Sequence, residues 1–154
     1  MTYEEASASI STGLYRHFKG NVYRVLSVAR NSENLQPMVV YKALYGDGGV
    51  WVRPAEMWSE TVERDGKVMC RFSPLTPAER VAFFEQIYDE ESAALDQKCA
   101  LSGEQQNKLA MLEEYYTSGE WRAVYEADEA GEFPADLKRG VLSQDGVYEL
   151  LERA

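Results

Sequence analysis

Short apolar runs, separated by turn residues, dominate the first half of the chain. The runs are rich in Val, Tyr, Phe and Leu, and the last two flank Asp65-Gly66, a common tight-hairpin sequence. They predict strands at Leu14–Phe18, Val22–Ala29, Met38–Tyr45, Val50–Val52, Glu60–Arg64 and Lys67–Phe72. So many short strands in so short a segment suit a strongly bent antiparallel sheet, and we expect a small barrel of SH3-like size.

In the second half the apolar residues recur at helical spacing, and helix start signals precede them. Thr76-Pro77-Ala78-Glu79 is a capping box with proline at the first helical position. Ser102-Gly103-Glu104-Gln105 opens a second helix, and Thr117-Ser118-Gly119-Glu120 is a third capping box that opens another. Ser143 caps the last helix. The predicted inner positions are Val81, Phe84, Tyr88, Leu95, Leu109, Leu112, Tyr116, Trp121, Tyr125, Val147, Leu150 and Leu151. This pattern predicts a small helical bundle.

The change of period marks two structural units, and the fold class is therefore α+β. We expect an N-terminal tail over residues 1–12, the small β-barrel over 13–75 and the helical bundle over 76–154, with the boundary at Ser73–Thr76. The charge follows the same division. Residues 1–75 carry nine basic and eight acidic groups, whereas residues 76–154 carry seven and eighteen, so +1 and -11 sum to the net charge of -10.

Composition excludes two broad classes of protein. With 45% hydrophobic and 12% aromatic residues, the chain of 154 residues can build a core and is not a disordered polyacid. No apolar run approaches the roughly 20 residues that span a bilayer. Residues 1–11 lack the basic start and apolar centre of a signal peptide, so we expect a cytoplasmic protein.

Metal and nucleophile chemistry find little support in the sequence. Four Cys or His ligands at paired short spacing are typical of structural zinc, but the chain has one histidine, His17, and two distant cysteines, Cys70 and Cys99. We expect those cysteines to be free, buried thiols. No G-x-S-x-G elbow, Walker loop or dinucleotide fingerprint occurs, and Gly46 to Gly49 are best read as a hairpin turn. The sequence therefore predicts no metal and no cofactor.

Aromatic and basic residues interleave in the first half, and this arrangement is the best candidate for chemistry. Aromatic faces beside arginine suit the binding of a planar or anionic ligand. The strand alternation does not decide which face points inward. Core is the favoured interpretation of the aromatic residues, because a barrel this small must fill its interior with large side chains. The candidate binding residues are Arg16, His17, Tyr41, Trp51, Arg53 and Glu56.

Several strings in the first half resemble a bacterial family known as domain of unknown function 1653. The resemblance spans about residues 13–73. It is carried by Tyr15-Arg16-His17-Phe18-Lys19-Gly20-Asn21, Ala29-Arg30-Asn31-Ser32-Glu33, Val39-Val40-Tyr41-Lys42-Ala43-Leu44-Tyr45-Gly46, Trp51-Val52-Arg53-Pro54-Ala55-Glu56-Met57-Trp58 and Arg71-Phe72.

The second half resembles domain of unknown function 4298 over roughly residues 92–153. The strings are Leu112-Glu113-Glu114-Tyr115-Tyr116, Ser118-Gly119-Glu120-Trp121 and the run from Asp136 to Asp145. Neither resemblance implies a reaction, cofactor or partner. Together they imply that the boundary near Ser73–Thr76 is a fusion junction. Small barrels joined to other domains are more often readers or adaptors than catalysts.

Three functions are compatible with these features. The preferred one is a two-domain binding or adaptor protein whose barrel presents its aromatic and basic residues to a small anionic ligand, nucleotide or peptide. The second is a hydrolase that uses His17 with a carboxylate such as Glu56 or Glu33. The third is an interaction module whose acidic bundle docks a basic partner. Non-specific binding of nucleic acid by the whole chain is disfavoured by the charge of -10.

Overall fold

The chain forms two compact units, Met1–Leu75 and Thr76–Ala154, called here the β unit and the helical unit. The computed structural model describes residues 1–96 and 102–153, without the side chains of residues 144 and 145. Within those ranges no helix is long and apolar enough to cross a membrane.

An antiparallel sheet of five strands, in the order β4-β3-β2-β1-β7, forms the body of the β unit. A separate hairpin pairs β5 with β6. The elements are α1 (Tyr3–Ser9), β1 (Gly13–His17), β2 (Val22–Arg30), β3 (Pro37–Ala43), β4 (Val50–Pro54), α2 (Ala55–Trp58), β5 (Thr61–Arg64), β6 (Lys67–Cys70) and β7 (Phe72–Pro74). With the helices that follow, this confirms the expected α+β class.

The five-stranded sheet curls strongly, but hydrogen bonds do not close it. In the part of the chain that the structure describes, no ladder joins the two edge strands, β4 and β7. Four strand spacings would hold these edges about 19 Å apart in a flat sheet. Yet the guanidinium carbon of Arg53 on β4 lies 5.8 Å from the ring centroid of Phe72 on β7. A register shift in β2 between Val25 and Ser27 adds local twist. The predicted barrel is therefore an open one.

Residues 1–12 are more than the predicted tail, because α1 lies within them. A capping box starts this helix: the Thr2 hydroxyl accepts from the Glu5 N–H, and the Glu5 carboxylate accepts from the Thr2 N–H. Ala6 and Ile10 are buried in the core of the β unit. Because they are four residues apart, they lie on the same side of α1. Burial of these two side chains explains why the segment is ordered.

The described part of the helical unit contains four α-helices and a short 3₁₀ turn. They are α3 (Pro77–Asp96), α4 (Gly103–Thr117), α5 (Glu120–Glu129), the 3₁₀ turn (Gly140–Leu142) and α6 (Gln144–Arg153). The predicted box at Thr76 forms, with reciprocal hydrogen bonds to Glu79 of 3.1 and 3.2 Å. Ser102 forms the same box with Gln105. Ser143 caps α6 by accepting from the Gly146 N–H at 3.2 Å.

The predicted third capping box at Thr117 is wrong. Thr117 is the last residue of α4, and its hydroxyl donates to the Glu113 carbonyl at 2.8 Å. The N-cap of α5 is instead Gly119, whose φ of 88° lies in the left-handed region that glycine tolerates. Because α4 continues to Thr117, that hydroxyl is held in its final turn and is not available to start α5.

The core of the helical unit differs from the predicted stripes on two helices. On α5 the predicted Tyr125 is 36% exposed and Val124 is buried instead, and on α4 a neighbouring tyrosine replaces the predicted one. Tyr115, only 1% exposed, occupies the interior in place of the predicted Tyr116, and its ring stacks on Phe84 at a centroid distance of 3.8 Å. Tyr116 lies at intermediate depth, with its ring 5.0 Å from that of Trp121. One helical residue turns by about 100°, so either tyrosine fits a stripe read from spacing alone.

A buried carboxylate joins α3 to the 3₁₀ turn. Glu85 is 6% exposed, and its two oxygens accept from the backbone N–H groups of Gly140 and Val141 at 3.2 and 2.5 Å. The indole N–H of Trp121 donates to the Val141 carbonyl at 2.7 Å. Glu85 thus satisfies N–H groups that no helical carbonyl reaches, and the turn is held from α3 and from α5.

Candidate functional site

Aromatic rings gather on one face of the five-stranded sheet, called here the inner face. Phe72 lies at their centre and pairs with His17 across the β1–β7 ladder. The ring of Trp58 stacks on Phe72 at a centroid distance of 3.7 Å, and Tyr23 and Tyr41 approach it at 5.8 and 6.1 Å. Edge-on and offset contacts of this kind are the favourable geometries for aromatic pairs. The cluster is thus part of the core.

Two polar side chains lie at the rim of this aromatic cluster. The guanidinium carbon of Arg53 lies 5.8 Å from the centroid of Phe72, within the range of a cation–π contact. The imidazole of His17 meets Phe72 edge-on at 5.0 Å. The Nδ1 atom of His17 accepts the backbone N–H of Lys19 at 3.2 Å. Arg53 and His17, which come from distant strands, are therefore brought to one ring.

The electrostatic surroundings of His17 are cationic. Partial burial lowers the pKa of His17 below 6.5, and the positive charges of Arg71, Lys19 and Arg53 lower that pKa further. Arg71 is already engaged, since it forms an ion pair with Glu60 at 3.2 Å. A neutral imidazole at neutral pH follows, because both burial and neighbouring cations disfavour its charged form.

Arg53 has no such partner. Its Nε is buried and forms no hydrogen bond, and no ion pair to Arg53 exists within residues 1–96 and 102–153. Buried polar groups in native proteins are nearly always satisfied, by protein or by another molecule. Within the described residues, Arg53 is thus a positive charge at intermediate depth that lacks both a carboxylate partner and a hydrogen bond at its buried Nε.

Two tyrosines share a hydrogen bond next to this arginine. The hydroxyl oxygens of Tyr23 and Tyr45 are 2.7 Å apart. Burial, followed by this hydrogen bond to Tyr45, raises the pKa of Tyr23 to about 12, while the charge of Arg53 acts in the opposite direction. The Tyr23 hydroxyl therefore stays protonated in the physiological range and supplies a neutral hydrogen-bonding group.

The structure brings only part of the predicted site together. His17, Arg53 and Tyr41 share the inner face, but Tyr41 is 7% exposed and packs against Trp58 at 5.0 Å, so it acts as core. Trp51 pairs with Tyr41 across the β3–β4 ladder, yet it is 60% exposed and its indole lies against Gly49.

Arg16 and Glu56 lie outside the cluster. Arg16 neighbours His17 on β1, so its side chain points to the other face of the sheet, where it donates to the Gly20 carbonyl at 3.0 Å. The carboxylate of Glu56 accepts from the N-terminal amine of Met1 at 2.9 Å, and this contact lowers its pKa.

Phe72 and Arg71 were not among the predicted site residues. Their positions depend on a pairing between β1 and β7, two strands that are distant in sequence. The alternation along β1 puts Tyr15 and His17 on one face, but it cannot reveal which later strand lies beside them.

Cys70 does not form part of the cluster. Cys70 is an exposed free thiol, which corrects the prediction of burial: the β5–β6 hairpin lies outside the five-stranded sheet. Cys99 lies outside the described residues. Among the residues that are described, no group of three or more His, Cys, Asp or Glu side chains could hold a metal ion.

Comparison with known proteins gives two family matches. Residues 13–74 match the family described as Protein of unknown function (DUF1653), and residues 81–154 match that described as Domain of unknown function (DUF4298). Both resemblances drawn from the residues are thereby confirmed. The chain is also similar to a crystal structure of a DUF1653 protein from Bordetella bronchiseptica, at 34% sequence identity and a TM-score of 0.42. The match covers 46% of this chain and 97% of the Bordetella bronchiseptica chain. No curated protein matches.

Proposed function

We propose that the β unit, which belongs to the DUF1653 family through residues 13–74, is a binding module for an anionic group. The site is the rim of the aromatic cluster, where Arg53 and His17 meet Phe72. A carboxylate or a phosphate of a small ligand, nucleotide or peptide would occupy it. In this proposal the protein is an adaptor of two domains, and the helical unit is the second domain.

The buried Nε of Arg53, which forms no hydrogen bond, is the observation that carries the proposal. A polar group withdrawn from water without a hydrogen bond costs on the order of 1–3 kcal/mol. An arriving anion would remove this cost and form charge-assisted hydrogen bonds worth about 1.5–3 kcal/mol each. About 1.4 kcal/mol changes an equilibrium constant tenfold, so loss of Arg53 should weaken the binding of the anion by a factor of ten or more.

His17 complements Arg53 as a neutral hydrogen-bond donor. Because Nδ1 accepts the Lys19 N–H, the proton of the neutral imidazole resides on Nε2. A bound anion would partly offset the cations that lower the pKa of His17, so binding raises that pKa. This coupling gives the site a measurable signature.

The test follows the single imidazole of the chain by NMR. Acetate, inorganic phosphate and AMP are titrated in turn, and the pKa of His17 is measured with and without each. We expect at least one anion to raise this pKa. Arg53→Gln should weaken that anion's binding at least tenfold, whereas Arg16→Gln, the matched change on the other face of the sheet, should leave the affinity unchanged. Equal affinities for the two variants, or no response of His17 to any anion, would contradict the proposal.

The hydrolase alternative is not favoured, because the charges around His17 have the wrong sign. The groups that act on its pKa, Arg71, Lys19 and Arg53, are all cationic, and Glu56 is engaged with the N-terminal amine. A general base is normally supported by a carboxylate that stabilises its protonated form.

Docking of a basic partner on the helical unit stays a prediction. A groove there is lined by Asp89, Glu90 and Asp136, but Lys138 lies 3.9 Å from Asp89 and Lys108 lies 3.0 Å from Glu90. These lysines already offset part of the acidic charge, so the groove is a weaker candidate than the rim of the aromatic cluster.

A further inference from the structure

Strand β4 forms one edge of the five-stranded sheet, and its side chains are open to solvent. Val50, Trp51 and Val52 are 58, 60 and 61% exposed. Native proteins usually protect such an edge with charges, proline or a covering segment, because it can pair with another strand. Here Arg53 and Pro54 protect only one end of the strand.

The register shows which backbone groups of β4 face outward. The Ala43 N–H donates to the Gly49 carbonyl at 3.0 Å. Hydrogen-bonded and non-hydrogen-bonded pairs alternate along an antiparallel ladder, so Trp51 and Arg53 direct their backbone groups towards β3. Val50 and Val52 consequently direct theirs outward, where a further strand could pair with them.

The same register sets which face an added strand would share. Trp51 lies opposite Tyr41, and Arg53 lies opposite Val39, so both project to the inner face. A strand paired with β4 would place one side chain beside Arg53 on that face and another, two residues along, beside Trp51.

We infer that β4 binds an extended peptide by strand addition, with an acidic side chain of the peptide beside Arg53 and an apolar one beside Trp51. In the antiparallel orientation the acidic residue precedes the apolar residue by two positions. This inference rests on the proposed function, because it makes the unpartnered Arg53 the anion site and names an acidic peptide as the ligand.

Charge complementarity selects this occupant over a second copy of the chain. The strand Val50-Trp51-Val52-Arg53-Pro54 contains no carboxylate, so pairing between two β4 strands would bring no anion from that strand to Arg53. An acidic peptide supplies one. Strand addition also explains why the apolar side chains of this edge are left open.

The experiment uses the full chain and the fluorescein-labelled peptide acetyl-Lys-Thr-Glu-Thr-Val-Thr-amide. Its affinity is measured by fluorescence anisotropy. In the bound register the central Thr lies opposite Val52 and directs its N–H to β4, whereas the N–H of the peptide Val points away. N-methylation of the central Thr should weaken binding at least tenfold, and N-methylation of the Val, the matched control, should not. Replacing the peptide Glu by Gln, or Arg53 by Gln, should also weaken binding at least tenfold.

A second readout reports directly on β4. Trp58 and Trp121 are 3 and 6% exposed, so acrylamide quenching of the three tryptophans reports mainly on Trp51, and bound peptide should reduce it. Val52→Pro removes an outward N–H while sparing the ladder to β3, and should weaken peptide binding.

The outcomes separate this inference from the proposed function. If acetate or phosphate raises the pKa of His17 but the two N-methylated peptides bind equally, strand addition is wrong and the anion site stands. If neither anions nor peptide affect His17, the anion site itself is wrong. A dimer that forms through β4, and that Val52→Pro abolishes, would assign the edge to a second copy and overturn the peptide.

Discussion

Replacement of Glu85 tests how the helical unit is held together. Glu85→Gln keeps the size of the side chain but exchanges one acceptor oxygen for an NH₂ group, which then faces a backbone N–H of Gly140 or Val141. One charge-assisted hydrogen bond is lost, at about 1.5–3 kcal/mol, and the remaining one no longer involves a charge. Glu85→Ala removes both acceptors, and the expected loss rises to about 3–6 kcal/mol.

These losses are large relative to the stability of a unit of this size. At roughly 0.05–0.15 kcal/mol per residue, the helical unit has a free energy of unfolding of about 4–12 kcal/mol. The assay is urea unfolding followed by circular dichroism at 222 nm, which reports mainly on the helices. Glu114→Gln makes the same charge change at an exposed position of α4 and serves as the control. If Glu85→Gln lowers stability by no more than this control, the two hydrogen bonds contribute nothing and the assigned role of Glu85 is wrong.

Three further changes have defined outcomes. Gly140→Ala should destabilise the helical unit by about 1–3 kcal/mol in the same assay, because its β-carbon would lie 2.8 Å from the carboxylate of Glu85 and 3.0 Å from the ring of Tyr88. His17→Gln should flatten the acid side of the stability profile of the β unit. The folded pKa of His17 is below the unfolded value of 6.5, so the unfolded chain binds the proton first and wild-type stability falls as the pH drops from 6.5 through the folded pKa. Glu91 behaves in the opposite way, because burial raises its pKa above 4.5 and the unfolded chain ionises first. Stability falls as the pH rises through the folded pKa, so Glu91→Gln should be more stable than the wild type at pH 7 and equal to it near pH 4. Thermal melts between pH 4 and pH 7 test both predictions. A His17→Gln profile as steep as that of the wild type, or a Glu91→Gln variant no more stable than the wild type at pH 7, would contradict them.

Signals that act within a few residues were the most predictable parts of the fold. The capping boxes at Thr76 and Ser102 form because both partners lie on the same turn. The box at Thr117 fails for a reason outside its four residues: α4 runs through it. A capping motif therefore predicts a helix start only where the preceding helix has already ended.

The candidate site was predictable only in part, because its geometry depends on the order of the strands. Alternation left open which face of β3 and β4 points inward. The complete burial of Val39 decides it for β3, and the pairing of Val39 with Arg53 extends that face to β4. The approach of Arg53 to Phe72 requires in addition that the two edges of the sheet curl together. Neither property is encoded in the spacing of residues along one strand, so Arg53 could be proposed from its neighbours but Phe72 could not.

The net charge of the whole chain is a poor guide to what the β unit binds. Eighteen of the 26 acidic residues lie in residues 76–154, and from Leu14 to Leu75 nine basic residues face six acidic ones. Within the β unit, the charged groups that lower the pKa of His17 beside Arg53 are all positive. The acidic ligand that we propose is therefore compatible with the β unit of a protein that is itself strongly acidic.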